Sequence, residues 1–131
     1  MTNARITNHV VATARNRVGL LAEMASAVRE AGVNIGAICA LEEGSLGRIM
    51  MYTDDNDSAI EALATLGDVD AHKESVIAVT LTDEPGALET EAKKISDAGI
   101  NISCVYGGAG AGQATVVFCL AEVDEAAKAL G

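Results

Sequence analysis

The feature that most constrains this chain is an internal repeat with a period of 67 residues. Residues 16–21 read Asn-x-x-Gly-x-Leu and residues 83–88 read Asp-x-x-Gly-x-Leu, with glycines at 19 and 86 (86 − 19 = 67). Three further pairs keep this displacement without a gap: 31–35 with 98–102, 48–52 with 115–119, and 57–63 with 124–130. Matches in constant register indicate a duplication of one folding unit.

The first copy shows which elements the unit contains. A β-compatible run at 6–14 is followed by apolar positions spaced by three and four up to Ala31, which predicts an amphipathic helix that Gly32 ends. Strands at 33–41 and 49–53, a helix ending before Gly67 and a short strand at 69–73 complete the unit. This order predicts an α+β fold of two tandem ferredoxin-like βαββαβ units.

The repeat also predicts the boundaries, with a first domain at 1–74 and a second at 75–131. The counterpart of strand 69–73 would fall beyond Gly131, so the second unit is expected to lack its last strand unless another segment fills that place. An open sheet edge is usually covered or paired. We therefore expect a homodimer, the commonest symmetric assembly. Strand 116–120 is apolar throughout, which predicts that a sister unit or second chain buries its other face.

Composition limits the partners. The formal net charge is −10 and aromatic residues make up only 2% of the chain, which disfavours nucleic acids and acidic membrane surfaces. The N-terminal residues lack the hydrophobic core of a signal peptide, and no apolar run has the ~20 residues of a membrane span. Three cysteines in apolar runs are expected to be small buried side chains in the reducing cytoplasm.

Each glycine motif is expected to form an elbow, where a strand ends and a helix begins. Gly19 and Gly86 allow a tight turn, and the free N–H groups of the first helical turn favour a carboxylate. Asp83 suits an ammonium group, whereas Asn16 suits either end of an amino acid. The alternative is that these residues, and the asparagines after the helices, serve only their own turns.

These motifs resemble the ACT domain family of small regulatory domains that bind amino acids. Residues 83–88 match the family's acidic-or-Asn, x, Pro, Gly, x, Leu signature in full, and residues 16–21 depart from it at Val18, where the family prefers proline. The Gly-x-Asn-Ile steps at Asn34 and Asn101 resemble the family's step after the first helix. The resemblance implies ligand sites at interfaces between paired domains. It assigns ligand contacts to these positions: Asn16, Val18, Gly19, Leu20, Asn34, Ile35, Asp83, Pro85, Gly86, Ala87, Asn101 and Ile102.

Other patterns in the sequence give weaker indications of function. The glycine-rich run 107–112 lacks the Lys-Ser/Thr of a P-loop and is expected to be a mobile hairpin loop. If that hairpin turns at 111–112, Cys104 and Cys119 become cross-strand neighbours, and a redox disulfide is conceivable. Neither histidine has a metal-ligand spacing, and no nucleophile-base arrangement is present. No cofactor or metal is expected.

The sequence therefore predicts a cytoplasmic, non-catalytic sensor of a small amino acid, with a metabolic enzyme as its possible partner and with Asp83, Gly86 and Asn101 as the better-formed site. The alternative is a structural subunit that docks on an enzyme or transcription factor without a small ligand. A regulator of the type that represses glycine cleavage, acting through protein contacts, also remains open.

Overall fold

The structure, a computed structural model, describes residues 3–131. Six strands and four helices alternate along this part of the chain, which confirms a mixed fold of helices and strands. The elements are β1 (Asn3–Arg15), α1 (Leu20–Glu30), β2 (Ile35–Glu43), β3 (Leu46–Thr53), α2 (Asn56–Ala64), β4 (Asp70–Thr82), α3 (Ala87–Asp97), β5 (Cys104–Gly110), β6 (Gln113–Cys119) and α4 (Val123–Leu130).

Glycines set both ends of α1. Gly19 caps its start at φ 89°, a left-handed conformation that glycine adopts without strain. Asn16, three residues earlier, lies before this turn and does not cap the helix. At the other end, the N–H of Gly32 donates to the carbonyl of Arg29 (2.9 Å) and the N–H of Val33 to that of Val28 (3.2 Å). This Schellman motif ends the helix where the sequence predicts.

The glycine-rich run differs from the expected loop. Strand β5 continues to Gly110, and only Ala111 and Gly112 form the turn, both at positive φ. Two such residues make the tight turn that suits a two-residue hairpin. A Cβ atom on Gly107 would collide with the carbonyl of Thr115, so this glycine lets β5 and β6 approach closely.

The chain divides into two compact units, Asn8–Glu74 and a second one that joins residues 3–7 to Ser75–Gly131. In this division residues 3–7 belong with the second unit, although they lie at the start of the chain. Strands β1 and β4 are each 13 residues long, and each passes from one unit into the other.

Both units have the same strand order. The first runs β2-β3-β1-β4 and the second β5-β6-β4-β1. Residues 3–7 thus occupy the last-strand position that was expected to be empty in the second unit. Ala4 packs against the second unit's core and Ala71 against the first unit's core, again 67 residues apart (71 − 4 = 67).

Each unit packs its two helices on one face of its strands. Met24 and Met51 lie in the first core, and Ile95 and Phe118 lie in the second. Residues that alternate with them along the strands are buried as well: Val11, Met50, Ala78 and Val117. The central strands are therefore buried on both faces, as the uninterrupted apolar runs predict.

Candidate ligand-binding elbows

A pocket lies at each elbow, between the strand end, the helix start and the hairpin that follows the helix. The first elbow pocket has a volume of about 310 Å³. The second elbow pocket has a volume of about 350 Å³. Both lie within the range of small-molecule sites, which begins at roughly 300 Å³.

A hydrogen bond ties each elbow to its hairpin. The N–H of Asn16 donates to the carbonyl of Ser45 (2.9 Å), and the N–H of Asp83 donates to that of Gly112 (3.0 Å). The acceptors are 67 residues apart, as are the donors (112 − 45 = 67 and 83 − 16 = 67). The hairpin turn therefore fixes one side of each pocket.

The second elbow pocket presents negative charge beside an apolar wall. The exposed carboxylates of Asp83 and Glu84 line it, and neither lysine nor arginine does. Its apolar wall comes from both the elbow and the hairpin: Leu81, Ala87, Leu88, Val105 and Val116. A cationic group would be attracted here.

The start of α3 supplies the complementary chemistry. Its first i→i−4 hydrogen bond runs from the N–H of Thr90 to the carbonyl of Gly86 (3.1 Å). The N–H groups of Leu88 and Glu89 precede that bond and have no helical acceptor. Together with the helix dipole they favour an anion. The second elbow thus combines groups suited to the ammonium, the carboxylate and the apolar side chain of an amino acid.

In the first elbow pocket the polar groups already have partners. The side-chain amide of Asn16 donates to Glu42 (2.7 Å). The guanidinium of Arg17 bonds Glu23 at 3.2 Å and Asp68 at 2.6 Å. These hydrogen bonds raise the pKa of Arg17 above its ordinary value. Little unsatisfied charge remains for a ligand.

The two pockets also differ in how their own side chains fill them. Leu20 is only 3% exposed, and a Cβ atom on Gly47 would lie 2.8 Å from its Cδ2 atom. Leu20 therefore occupies the space above Gly47. The equivalent positions in the second unit are Ala87 and Ala114 (20 + 67 and 47 + 67), which leave that space open.

The structure brings part of each predicted set together. Asn16, Gly19 and Leu20 line the first pocket, and Asp83 and Ala87 line the second. Three predicted residues of the elbows themselves do not line the pockets, namely Val18, which is fully exposed, and Pro85 and Gly86, which shape the turn.

The asparagines after the helices lie elsewhere within their units. Helix α1 has 11 residues and separates Asn34 from the first elbow by roughly 16 Å along its axis. The backbone of Asn34 pairs with Asp54. Asn101 and Ile102 line a shallow depression at the C-terminal end of α3. The partly buried side chains of Ile35 and Ile102 pack against their cores.

Sequence reasoning missed the contribution of the hairpins. Glu42 and Gly47 line the first pocket, and Val105 and Gly108 line the second. The predicted strand order contained the signal, because it places the second hairpin strand beside the strand that leads into the elbow. Hairpin residues near the turn then face the helix start.

Two features are absent from the described residues, 3–131. No helix in that range is long and apolar enough to cross a membrane. No group of three or more His, Cys, Asp or Glu residues there is placed to hold a metal ion.

No family model and no curated protein matches this sequence. Solved structures match nearly the whole chain. Protein BT0572 from Bacteroides thetaiotaomicron superposes with a TM-score of 0.86 at 24% identity, covering 97% of this chain and 88% of that one. The ligand-free regulatory subunit of aspartate kinase from Thermus thermophilus gives 0.66 at 17% identity, with coverage of 98% and 93%. The corresponding subunit from Thermus flavus gives 0.62 at 16% identity, with coverage of 98% and 94%.

The chain has an ACT-type fold. The match includes both elbows, because it extends over 98% of the chain. The resemblance drawn from the glycine motifs is thereby confirmed at the level of the fold.

Proposed function

We propose that this protein is a non-catalytic sensor that holds a small amino acid in the second elbow pocket and passes its state to a metabolic enzyme. The observation that carries the proposal is the pairing of the Asp83 and Glu84 carboxylates with the start of α3 around an open apolar pocket. The regulatory role is supported by the fold, because solved structures of the same fold are regulatory subunits.

In this proposal the ligand's ammonium group lies beside Asp83 and Glu84. Its carboxylate faces the N–H groups of Leu88 and Glu89, and its side chain contacts Val105. A pocket of about 350 Å³ suits a small or aliphatic side chain. The first elbow pocket, where Leu20 covers Gly47 and the polar groups already have partners, is the degenerate twin.

We further propose that each unit is one ferredoxin-like βαββαβ domain, with residues 3–7 as the last strand of the second. The protein is proposed to be a homodimer that pairs through the outer strands β2 and β5. Exposed apolar side chains recur at the repeat distance, Ile38 on β2 with Val105 on β5 and Leu21 on α1 with Leu88 on α3. Asn34 and Asn101 then contribute to ligand sites from a facing domain of the second copy.

The same exposed apolar pairs support the second candidate, a subunit that docks on an enzyme or transcription factor and binds nothing small. Contiguous exposed apolar groups often mark a protein interface. A native-lysate pull-down with and without added amino acids distinguishes the two, because only the sensor changes its partner occupancy with the ligand.

A thermal-shift screen of the twenty amino acids at millimolar concentration tests the sensor proposal, since a ligand that binds only the folded state raises the melting temperature. We expect a rise with one or a few small amino acids. Asp83→Asn should remove the rise, and Asn16→Ala in the first elbow is the matched control that should keep it. No rise with any amino acid contradicts the proposal.

A further inference from the structure

Cys104 and Cys119 lie directly opposite each other on the antiparallel strands β5 and β6. Both side chains are half-buried, so solvent reaches them, and neither is in a disulfide. The expectation that the three cysteines are buried is wrong, because Cys39 is half-buried as well. Cys104 and Cys119 lie on the strand face opposite the helices, since Phe118, which precedes Cys119, packs in the helix-facing core.

Their spacing suits a disulfide. Directly opposed residues on antiparallel strands have Cα atoms about 4.5–5.5 Å apart, within the range of about 4.4–6.8 Å that a disulfide spans. The third cysteine, Cys39, lies opposite Met50 and has no cysteine across from it. The pair is also particular to the second copy of the repeat, because Ala37 and Tyr52 hold the equivalent paired positions in the first.

The backbone beside the pair is already fixed. Both the N–H and the hydroxyl of Ser103 donate to the carbonyl of Cys119, at 2.9 and 2.8 Å. Further along, β5 is rich in glycine up to Gly110, and its only strand partner among residues 3–131 is β6. Glycine lowers the stability of a strand, so the far half of this hairpin depends on how firmly its base is held.

We propose that Cys104 and Cys119 form a reversible disulfide that staples the β5–β6 hairpin, with a low-molecular-weight disulfide as the oxidant. The thiolate of Cys104 attacks one sulfur of the oxidant, which releases one thiolate and leaves a mixed disulfide on Cys104. The thiolate of Cys119 then attacks the Cys104 sulfur and displaces the second thiolate. The two cysteines lose two electrons and two protons, and the oxidant leaves as two thiols.

The staple would act on the second elbow pocket through the hairpin it closes. Gly107 and Gly108 line that pocket, and the turn residue Gly112 accepts the hydrogen bond from Asp83. A more rigid hairpin keeps this wall in place before a ligand arrives. This consequence rests on the proposed function, whereas the disulfide itself does not.

The test incubates the full chain with oxidised and reduced glutathione at graded ratios, blocks remaining thiols by alkylation and maps the peptides by mass. We expect a peptide joined through Cys104 and Cys119, an alkylated Cys39, and a melting temperature raised on the order of 5 °C. Reduction with dithiothreitol should reverse both changes.

Cys104→Ser and Cys119→Ser should each abolish the rise, whereas Cys39→Ser should keep it. Three alkylated cysteines at the most oxidising ratio, a stable mixed disulfide with glutathione, or a bridge that includes Cys39 would each overturn the proposal. Because peptide mapping uses the unaltered chain, the result stands even where a variant fails to fold. A disulfide without any amino-acid response would refute the sensor and leave the disulfide in place.

Discussion

The side chain of Leu20 packs against Gly47 at the first elbow, where a Cβ atom on Gly47 would lie 2.8 Å from the leucine Cδ2 atom. One repeat later, Ala87 and Ala114 stand in their places. The first elbow thus places a side chain of its own over the hairpin strand, while the second leaves that space open. This exchange distinguishes two elbows that are otherwise built alike.

Replacing Ala87 with leucine should close the second pocket. We expect the amino-acid-induced rise in melting temperature to disappear, because the new side chain takes the ligand's place. The Cβ atom of Ala114 crowds that leucine, so Ala87→Leu/Ala114→Gly should recover folding stability without recovering the ligand response. If Ala87→Leu alone still shows the rise in melting temperature, the ligand binds elsewhere.

Leu20→Ala should lower the free energy of unfolding by about 2–3 kcal/mol. This is the low end of the range for buried leucines, because the site borders a pocket and is not fully enclosed. Denaturant unfolding measures this loss. The control is Val18→Ala, whose side chain is fully exposed and whose loss should cost no more than about 0.5 kcal/mol. Equal costs at both positions would contradict the role of Leu20 in the first core.

Acid should destabilise the protein through His9. Burial lowers the pKa of His9 below its ordinary value of 6.5, with Arg48 and His72 adding to the effect and Glu74 opposing it. As the pH falls, His9 therefore takes up a proton in the unfolded chain before it does so in the folded chain. The stabilisation is complete above about pH 6.5 and is lost as the pH falls toward the folded pKa.

The matched variant is His9→Val, because the repeat places Val76 at the equivalent position (9 + 67). Its free energy of unfolding should lose this pH dependence below 6.5 while remaining comparable at pH 8. Urea unfolding at a series of pH values makes the comparison. If the free energy of unfolding of the variant still fell with pH as steeply as that of the unaltered protein, other groups would cause the acid sensitivity.

A buried carboxylate on α3 should be dispensable for stability. Glu91 is 2% exposed and its carboxylate lies 3.2 Å from the Nζ of Lys94, whereas Met24 holds the equivalent place in the first unit (91 − 67). Glu91→Met should raise the free energy of unfolding by about 1 kcal/mol, as replacement of buried charges by apolar groups often does.

Lys94→Met is the opposite case, because it leaves the carboxylate buried without its ion pair. We expect a loss of about 2 kcal/mol, less than for a fully buried partner, since the Lys94 side chain is 38% exposed. Chemical denaturation of both variants at pH 7 gives the two values. Destabilisation by Glu91→Met would show that the ion pair holds α3 in place.

The sequence predicted the elements well where the repeat reinforced a local signal. Gly32 and Gly99 end α1 and α3 in both copies, and the periodic apolar residues between each elbow and its closing glycine give the helices. The place of residues 3–7 in the second unit was not predicted. These residues share only an alanine with their repeat counterparts, since Asn3-Ala4-Arg5-Ile6-Thr7 corresponds to Asp70-Ala71-His72-Lys73-Glu74. The displacement itself would have revealed it, since shifting 70–74 by 67 gives 3–7.

The elbows were predicted, but their pockets were not. Glycine and acidic residues at fixed spacing carry a local signal that a sequence displays. The contrast between Leu20 over Gly47 and Ala87 over Ala114 depends on strand register, which brings residues far apart in sequence together. Similarly, the hydrogen bond between Asn16 and Glu42 links residues 26 positions apart, so no local sequence pattern predicts it.

The exchange of half-strands bears on how such a chain could arise. A protein of one repeat, 3–69 in the present numbering, would carry an initial half-strand that its own sheet does not use and would lack the final half-strand that its sheet needs. Two copies of that protein would satisfy each other by trading these segments, as in domain swapping. Gene duplication and fusion would then require no new strand, because the start of the second copy already supplies the end of the first. On this view the tandem chain is an ancient swapped dimer whose subunits became covalently joined.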